Sequence, residues 1–102
     1  MNMNIKKYDY EGCHATADLV LTSYPKDLVN IIKESIKYSN LNVVKESIHD
    51  FGEAVTALWT LSESHFSLHE YPESKYITVD CYTCGLEGDP LGAINHLIEQ
   101  LD

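Results

Sequence analysis

The densest polar cluster in this 102-residue chain is Ser62-Glu63-Ser64-His65, followed by His69, Tyr71 and Glu73. Cys84 follows one predicted strand later. The cluster lies in a strand-rich region, where polar side chains are costly unless they are paired or used. A serine, two histidines, a cysteine and carboxylates this close together permit nucleophilic chemistry, with an imidazole to activate a hydroxyl or thiol. They equally permit a polar strand edge, and the residue types alone do not choose between the two.

Metal chemistry fits the spacing poorly. Cys81-x-x-Cys84 with Cys13 and His14 would give three thiolates and one imidazole. On a strand, however, positions three apart point to opposite faces, and no second pair stands at finger spacing. His65 and His69 lack the His-Glu-x-x-His order of a helical zinc site. No metal is therefore expected. Cys81 and Cys13 are read as small buried hydrophobes. His65 is read as positional, His14 as a strand-edge residue, and His49 and His96 as surface or helix-face residues.

These side chains need elements to hold them. Cys13 to Thr22 suits a strand. Pro25 suits the first turn of a helix, and Leu28, Ile31, Ile32 and Ile36 then fall on one helical face that runs to about Ser39. Asn40 is a plausible stop. Four strand-like runs follow: Asn42 to Phe51, Ala54 to Ser62, His65 to Tyr71, which alternates cleanly, and Tyr76 to Thr83. Gly52, Pro72-Glu73-Ser74 and Gly85 punctuate them. A last helix begins near Pro90, capped by Asp89, with Leu91, Ile94, Leu97, Ile98 and Leu101 as its apolar face. Strand, helix, several strands, helix predicts an α+β fold: a two-layer α/β sandwich, mostly antiparallel sheet with two helices on one face.

Length and charge bound the rest. The chain holds one domain, residues 1–102. Seven Lys plus Arg against 16 Asp plus Glu give a formal charge of −9. A nucleic-acid partner needs a basic face and is not expected; Lys6-Lys7 is too short to supply one. The acidic balance suits a cationic small molecule or simply solubility. No apolar run approaches the ~20 residues that span a bilayer, and residues 1–11 lack the apolar core of a secretory signal, so no membrane partner is expected. Three cysteines without an export signal point to reduced thiols and a cytoplasmic location.

Three blocks in order then carry a specific resemblance. Leu61-Ser62-Glu63-Ser64-His65-Phe66-Ser67-Leu68-His69, Tyr71-Pro72-Glu73, and Val79-Asp80-Cys81-Tyr82-Thr83-Cys84-Gly85 closely resemble the prokaryotic-type S-adenosylmethionine decarboxylase proenzymes. His14-Ala15-Thr16-Ala17-Asp18-Leu19 extends the likeness weakly, as that family's first strand. The resemblance implies a pyruvoyl enzyme. Ser64 would attack the Glu63 carbonyl, and the resulting ester would eliminate and hydrolyse. That leaves a β chain, 1–63, and an α chain, 64–102, which begins with a pyruvoyl group. The group would meet the substrate amine as a Schiff base and act as electron sink.

The same resemblance implies the roles. His69 is the processing base, Thr56 stands where a serine hydroxyl helps processing, and Cys84 is the proton donor after decarboxylation. Glu73 accepts the ribose hydroxyls, and Phe51 and Tyr71 flank adenine and sulfonium. Relatives form a dimer with sites at or near the interface, so a homodimer of cleaved αβ protomers is expected. Its product would feed spermidine synthesis. The chain departs from the family at Glu70, where a small hydroxyl residue is usual, at Asp18, where a longer carboxylate is common, and in ending at Asp102, where many relatives continue with a strand. By strand alternation Glu70 points away from His69, Tyr71 and Glu73. Rival readings are a pyruvoyl-dependent L-ornithine or L-arginine decarboxylase, a silent paralogue that pairs with an active subunit, and a zinc-binding module.

Overall fold

A computed structural model describes residues 2–7, 12–62, 64–84 and 89–101. Six strands form one sheet: β1 (Asn2–Lys7), β2 (Gly12–Val20), β3 (Val43–Asp50), β4 (Val55–Leu61), β5 (Ser64–Tyr71) and β6 (Tyr76–Cys84). Their spatial order is β1-β2-β6-β5-β4-β3, and every neighbouring pair is antiparallel. Two helices, α1 (Leu28–Tyr38) and α2 (Pro90–Leu101), complete the expected α+β sandwich.

Alternation along the strands divides the sheet into two chemically different faces. Ala15, Ala17, Leu19, Ala57, Trp59, Phe66, Leu68, Ile77, Val79 and Cys81 are buried, together with Ile32 and Ile36 of α1 and Ala93, Ile94 and Leu97 of α2. The fully buried Trp59 needs a partner for its indole N–H, and donates it to Glu46 Oε1 at 2.7 Å. The opposite face carries His14, Thr16, Leu58, His65, Ser67, His69, Asp80 and Tyr82, partly or fully exposed.

Local chemistry sets the ends of the elements. Asn40 closes the α1 region at φ 59, a left-handed conformation that asparagine tolerates. Asp89 caps α2, accepting the Gly92 N–H at Oδ1, 2.9 Å. Helix α1 starts at Leu28, later than Pro25 suggested, because Tyr24 is held by Glu70 and the chain turns before the helix begins.

Several expectations need correction. Strand β1 was not foreseen: it is a short edge strand in which only Met3 and Ile5 alternate with Asn2, Asn4 and Lys6, too brief a pattern to mark a strand by itself. His14 is not a strand-edge residue, since β2 lies between β1 and β6. His96 joins the two helices: its ring stacks on Tyr38 at 4.1 Å, and its Nδ1–H donates to Ser35 Oγ at 2.9 Å, because that hydroxyl already donates to the Ile31 carbonyl. Cys81 is buried as expected, whereas Cys13, near the end of β2, is only half-buried.

Candidate functional site

A cleft of about 670 Å³ opens at one end of the sheet, lined by Phe51, Glu53, Ala54, Thr56, His69, Glu70, Tyr71, Pro72 and Glu73. Five of these, Phe51, Thr56, His69, Tyr71 and Glu73, are residues singled out from sequence. Two stretches of chain, 51–56 and 69–73, bring them together through a turn, a strand ladder and a short helical turn.

The β3–β4 turn supplies Phe51. Gly52 sits at φ 99, where a side chain would be strained, and its N–H donates to Asp50 Oδ1 at 2.7 Å. The Phe51 N–H donates to the Ala54 carbonyl at 2.8 Å, which closes the turn. The Phe51 ring is therefore exposed at the mouth, edge-on to His49 with centroids 4.3 Å apart.

The β4–β5 ladder supplies the hydroxyl and the imidazole. Thr56 pairs in register with His69, which puts Thr56 Oγ1 3.4 Å from His69 Nδ1 and leaves Nε2 without a role in that contact. The short helical turn Pro72–Ser74 supplies Glu73. Pro72 sets its backbone, and Lys75, at φ 50, returns the chain into β6 with its N–H on the Pro72 carbonyl at 3.0 Å. The half-exposed Tyr71 ring leans on Tyr76, with centroids 5.5 Å apart.

Glu70 faces the other way, as alternation requires. Its Oε1 accepts the Val55 N–H at 2.9 Å and its Oε2 accepts the Tyr24 hydroxyl. Burial, then the Glu70 hydrogen bond and charge, push the Tyr24 phenol up. Glu70 thus ties the approach to α1 onto the rim of the cleft. Glu53, Ala54 and Pro72 also line the cleft and were not among the sequence candidates. Only the turn signals around them hinted at their position.

Ser64 and Cys84 do not join this cleft. Ser64 opens β5 at the opposite end of that strand, and its Oγ donates to the Ser62 carbonyl at 2.8 Å. Cys84 ends β6, exposed, opposite Gly12. His65 pairs with Tyr82, so the same register runs Ser64 against Thr83, beside Cys84. Among the described residues the buried Thr83 hydroxyl has no hydrogen-bond partner. Glu63 and Gly85 lie outside the described residues.

Cys81 is pushed up to about 12, chiefly by burial and then by nearby Asp80 and other acidic groups, so it stays a neutral thiol. It belongs to the core, whereas Cys84 lies on the surface. Among the described residues, no cluster of three or more His, Cys, Asp or Glu could hold a metal ion. Among the same residues, no helix is long and apolar enough to cross a membrane.

Comparison with known proteins agrees with this arrangement of strands and motifs. The S-adenosylmethionine decarboxylase family model matches residues 8–102. An S-adenosylmethionine decarboxylase proenzyme of Saccharolobus islandicus is 40% identical over 76 residues, which are 74% of this chain and 62% of that protein. The chain therefore spans less than two thirds of that relative's length. A proenzyme of the same description from Symbiobacterium thermophilum is 38% identical over 96 residues, covering 88% of this chain and 73% of the relative. The crystal structure of the adenosylmethionine decarboxylase from Aquifex aeolicus superposes with a TM-score of 0.81 at 30% identity, over 92% of this chain and 82% of the other. The chain belongs to the S-adenosylmethionine decarboxylase family.

Proposed function

We propose that this chain is the proenzyme of a pyruvoyl-dependent S-adenosylmethionine decarboxylase, one domain over residues 1–102 that cuts itself into 1–63 and 64–102. The observation that carries the reading is the cleft: Phe51 and Thr56 from one stretch of chain and His69, Tyr71 and Glu73 from another line one cavity. Its product would be the aminopropyl donor for spermidine synthesis in the cytoplasm.

Maturation uses the chain's own atoms and water. Ser64 Oγ adds to the Glu63 carbonyl carbon, and the peptide C–N bond breaks to leave an ester and a free Ser64 amine. A base then removes the Ser64 α-proton as the Cβ–Oγ bond breaks and Glu63 departs as a carboxylate. Water hydrolyses the remaining unsaturated residue to the pyruvoyl group, and ammonia leaves. The surroundings fit such a group: the Thr83 hydroxyl, without a hydrogen-bond partner among the described residues, lies cross-strand from Ser64 and can donate to a carbonyl there. The pyruvoyl group supplies the electron sink that no natural side chain offers.

The other residues bind and move protons. Glu73 accepts the ribose hydroxyls, and Phe51 and Tyr71 offer π faces to adenine and sulfonium. Cys84 returns a proton to the substrate carbon. His69, oriented by Thr56, is the processing base. A single protomer cannot complete the site, since His69 stands five strand residues, about 16 Å, from Ser64. The helix-free sheet face supplies the remedy. A second copy packed there about a two-fold axis that runs across the strands would set the cleft end of one protomer against the Ser64–Cys84 end of the other, and the reciprocal contact would complete the second site.

Intact mass under denaturing conditions, combined with release of labelled carbon dioxide, tests the reading. Two chains and release from S-adenosylmethionine are expected. Release from arginine or ornithine alone overturns the substrate, and an intact chain without activity favours a silent paralogue.

A further inference from the structure

We propose that Asp80 is a positioning residue for Ser64, acting through His65. This rests on the reading of Ser64 as the residue that is converted.

Asp80 lies on β6, in the middle of the helix-free sheet face. Its Oδ1 is 2.8 Å from His14 Nε2 on β2 and 3.0 Å from His65 Nε2 on β5. One carboxylate oxygen therefore accepts from two imidazoles, and both rings must present Nε2–H to it. Both contacts run diagonally across the ladders, since Asp80 itself pairs with Thr16 and Ser67, while His14 and His65 both pair with Tyr82. The His65 ring also stacks on Tyr82, centroids 6.2 Å apart, and meets the His14 ring edge-on at 6.5 Å. His65 is thus gripped by a carboxylate and a ring on the adjacent β6, and by a second ring on β2, the strand beyond it.

What this grip holds in place is the first residue after Ser64. A hydroxyl that attacks a neighbouring carbonyl needs a placement good to about half an ångström, which the surrounding side chains must supply. Ser64 opens β5, so on its C-terminal side His65 is the first place where a side chain can anchor it. Charge-assisted hydrogen bonds are the stronger, more directional kind. An aspartate with two imidazole donors on a partly exposed face is a costly way to make a surface, and a sound way to fix one ring.

The experiment follows chain cleavage in time for wild type, Asp80→Ala, His65→Leu, His65→Gln and the Asp80→Ala/His65→Leu double variant, with melting temperature measured for each. Asp80→Ala and His65→Leu are expected to slow cleavage about 10- to 100-fold, as loss of a charge-assisted hydrogen bond allows. His65→Gln, whose amide can still donate to Asp80, should recover most of the rate. The double variant should be no slower than the worse single one, because both remove the same contact. Cleavage by Asp80→Ala at the wild-type rate overturns the proposal and leaves the reading of Ser64 standing. Slowing that tracks melting temperature across all variants, with no recovery by glutamine and additive effects in the double variant, also overturns it. A wild-type chain that never cleaves removes the reading of Ser64 itself.

Discussion

Ser64 and His69 stand at opposite ends of one strand. Ser64 is the first residue of β5 and His69 lies beside Thr56 near its last turn of pleat, five residues on. An extended backbone advances about 3.3 Å per residue, so about 16 Å separates the residue proposed as nucleophile from the residue proposed as processing base.

A mixture of two dead variants should therefore revive activity. In a two-fold dimer, Ser64→Ala paired with His69→Ala leaves one site with both lesions and one site with neither. Random pairing at equal amounts should give about a quarter of wild-type turnover, since half the dimers are mixed and each has one intact site of two. Co-expression followed by intact mass and carbon dioxide release checks this. No recovery places both residues in one protomer's site.

Cys84→Ala should still cleave before Ser64, because no proton need reach a substrate carbon during maturation. Turnover should fall by roughly 10²–10⁴-fold if the thiol is the sole general acid. Chain masses and steady-state rates on the same preparation separate the two effects.

Glu73→Gln should leave cleavage intact and weaken substrate use. The rim carboxylate loses its charge-assisted hydrogen bonds to the ribose, a cost of about 1.5–3 kcal/mol. Rates with S-adenosylmethionine against rates with an analogue lacking the ribose hydroxyls measure it. Equal losses on both remove Glu73 from ribose recognition.

Cys81 predicts a pH effect. Its thiol is pushed from 9.0 up to about 12 in the fold, mainly by burial. Below 9 both folded and unfolded chains carry the proton, and the contribution to stability is complete. As pH rises above 9 the unfolded chain releases the proton first, so stability falls until about 12. Alkaline denaturation of Cys81→Ala, compared with wild type, should show a shallower fall across that window. A thiol-alkylating reagent near pH 9 should label the exposed Cys84 in the folded protein and spare Cys81.

Much of this fold is legible in the residues. Leu28, Ile32 and Ile36, and Ile94, Leu97 and Leu101, mark their helices by period, and Phe66 and Leu68 mark the buried face of β5 by alternation. Edge strand β1 was overlooked: Met3 and Ile5 do alternate with Asn2, Asn4 and Lys6, but two apolar positions are too few to mark a strand by period. Phe51, Thr56, His69, Tyr71 and Glu73 were all named through the family resemblance, and a turn, a ladder and a short helical turn bring them to one cleft. The gap between Ser64 and His69 was present in their spacing as soon as the segment was read as a strand. Asp80 escaped notice because its partners, His14 and His65, converge only when β2, β6 and β5 lie side by side.

The strand order has a consequence for what a break before Ser64 leaves behind. Strands β5 and β6 sit together in the sheet, with β4 on one flank and β2 on the other. A nick there would produce two pieces that are interleaved: the shorter one forms the middle of the sheet, and the longer one holds it on both sides. To depart, the inner piece must unzip from β2 and β4 at once, as well as lift α2 off the core, so the nicked molecule is locked kinetically. Once separated, the pieces must find each other as two molecules, and recovery then depends on concentration. The native arrangement is more easily reached by one continuous chain, so a cut before Ser64 would be expected only after the inner strands are enclosed.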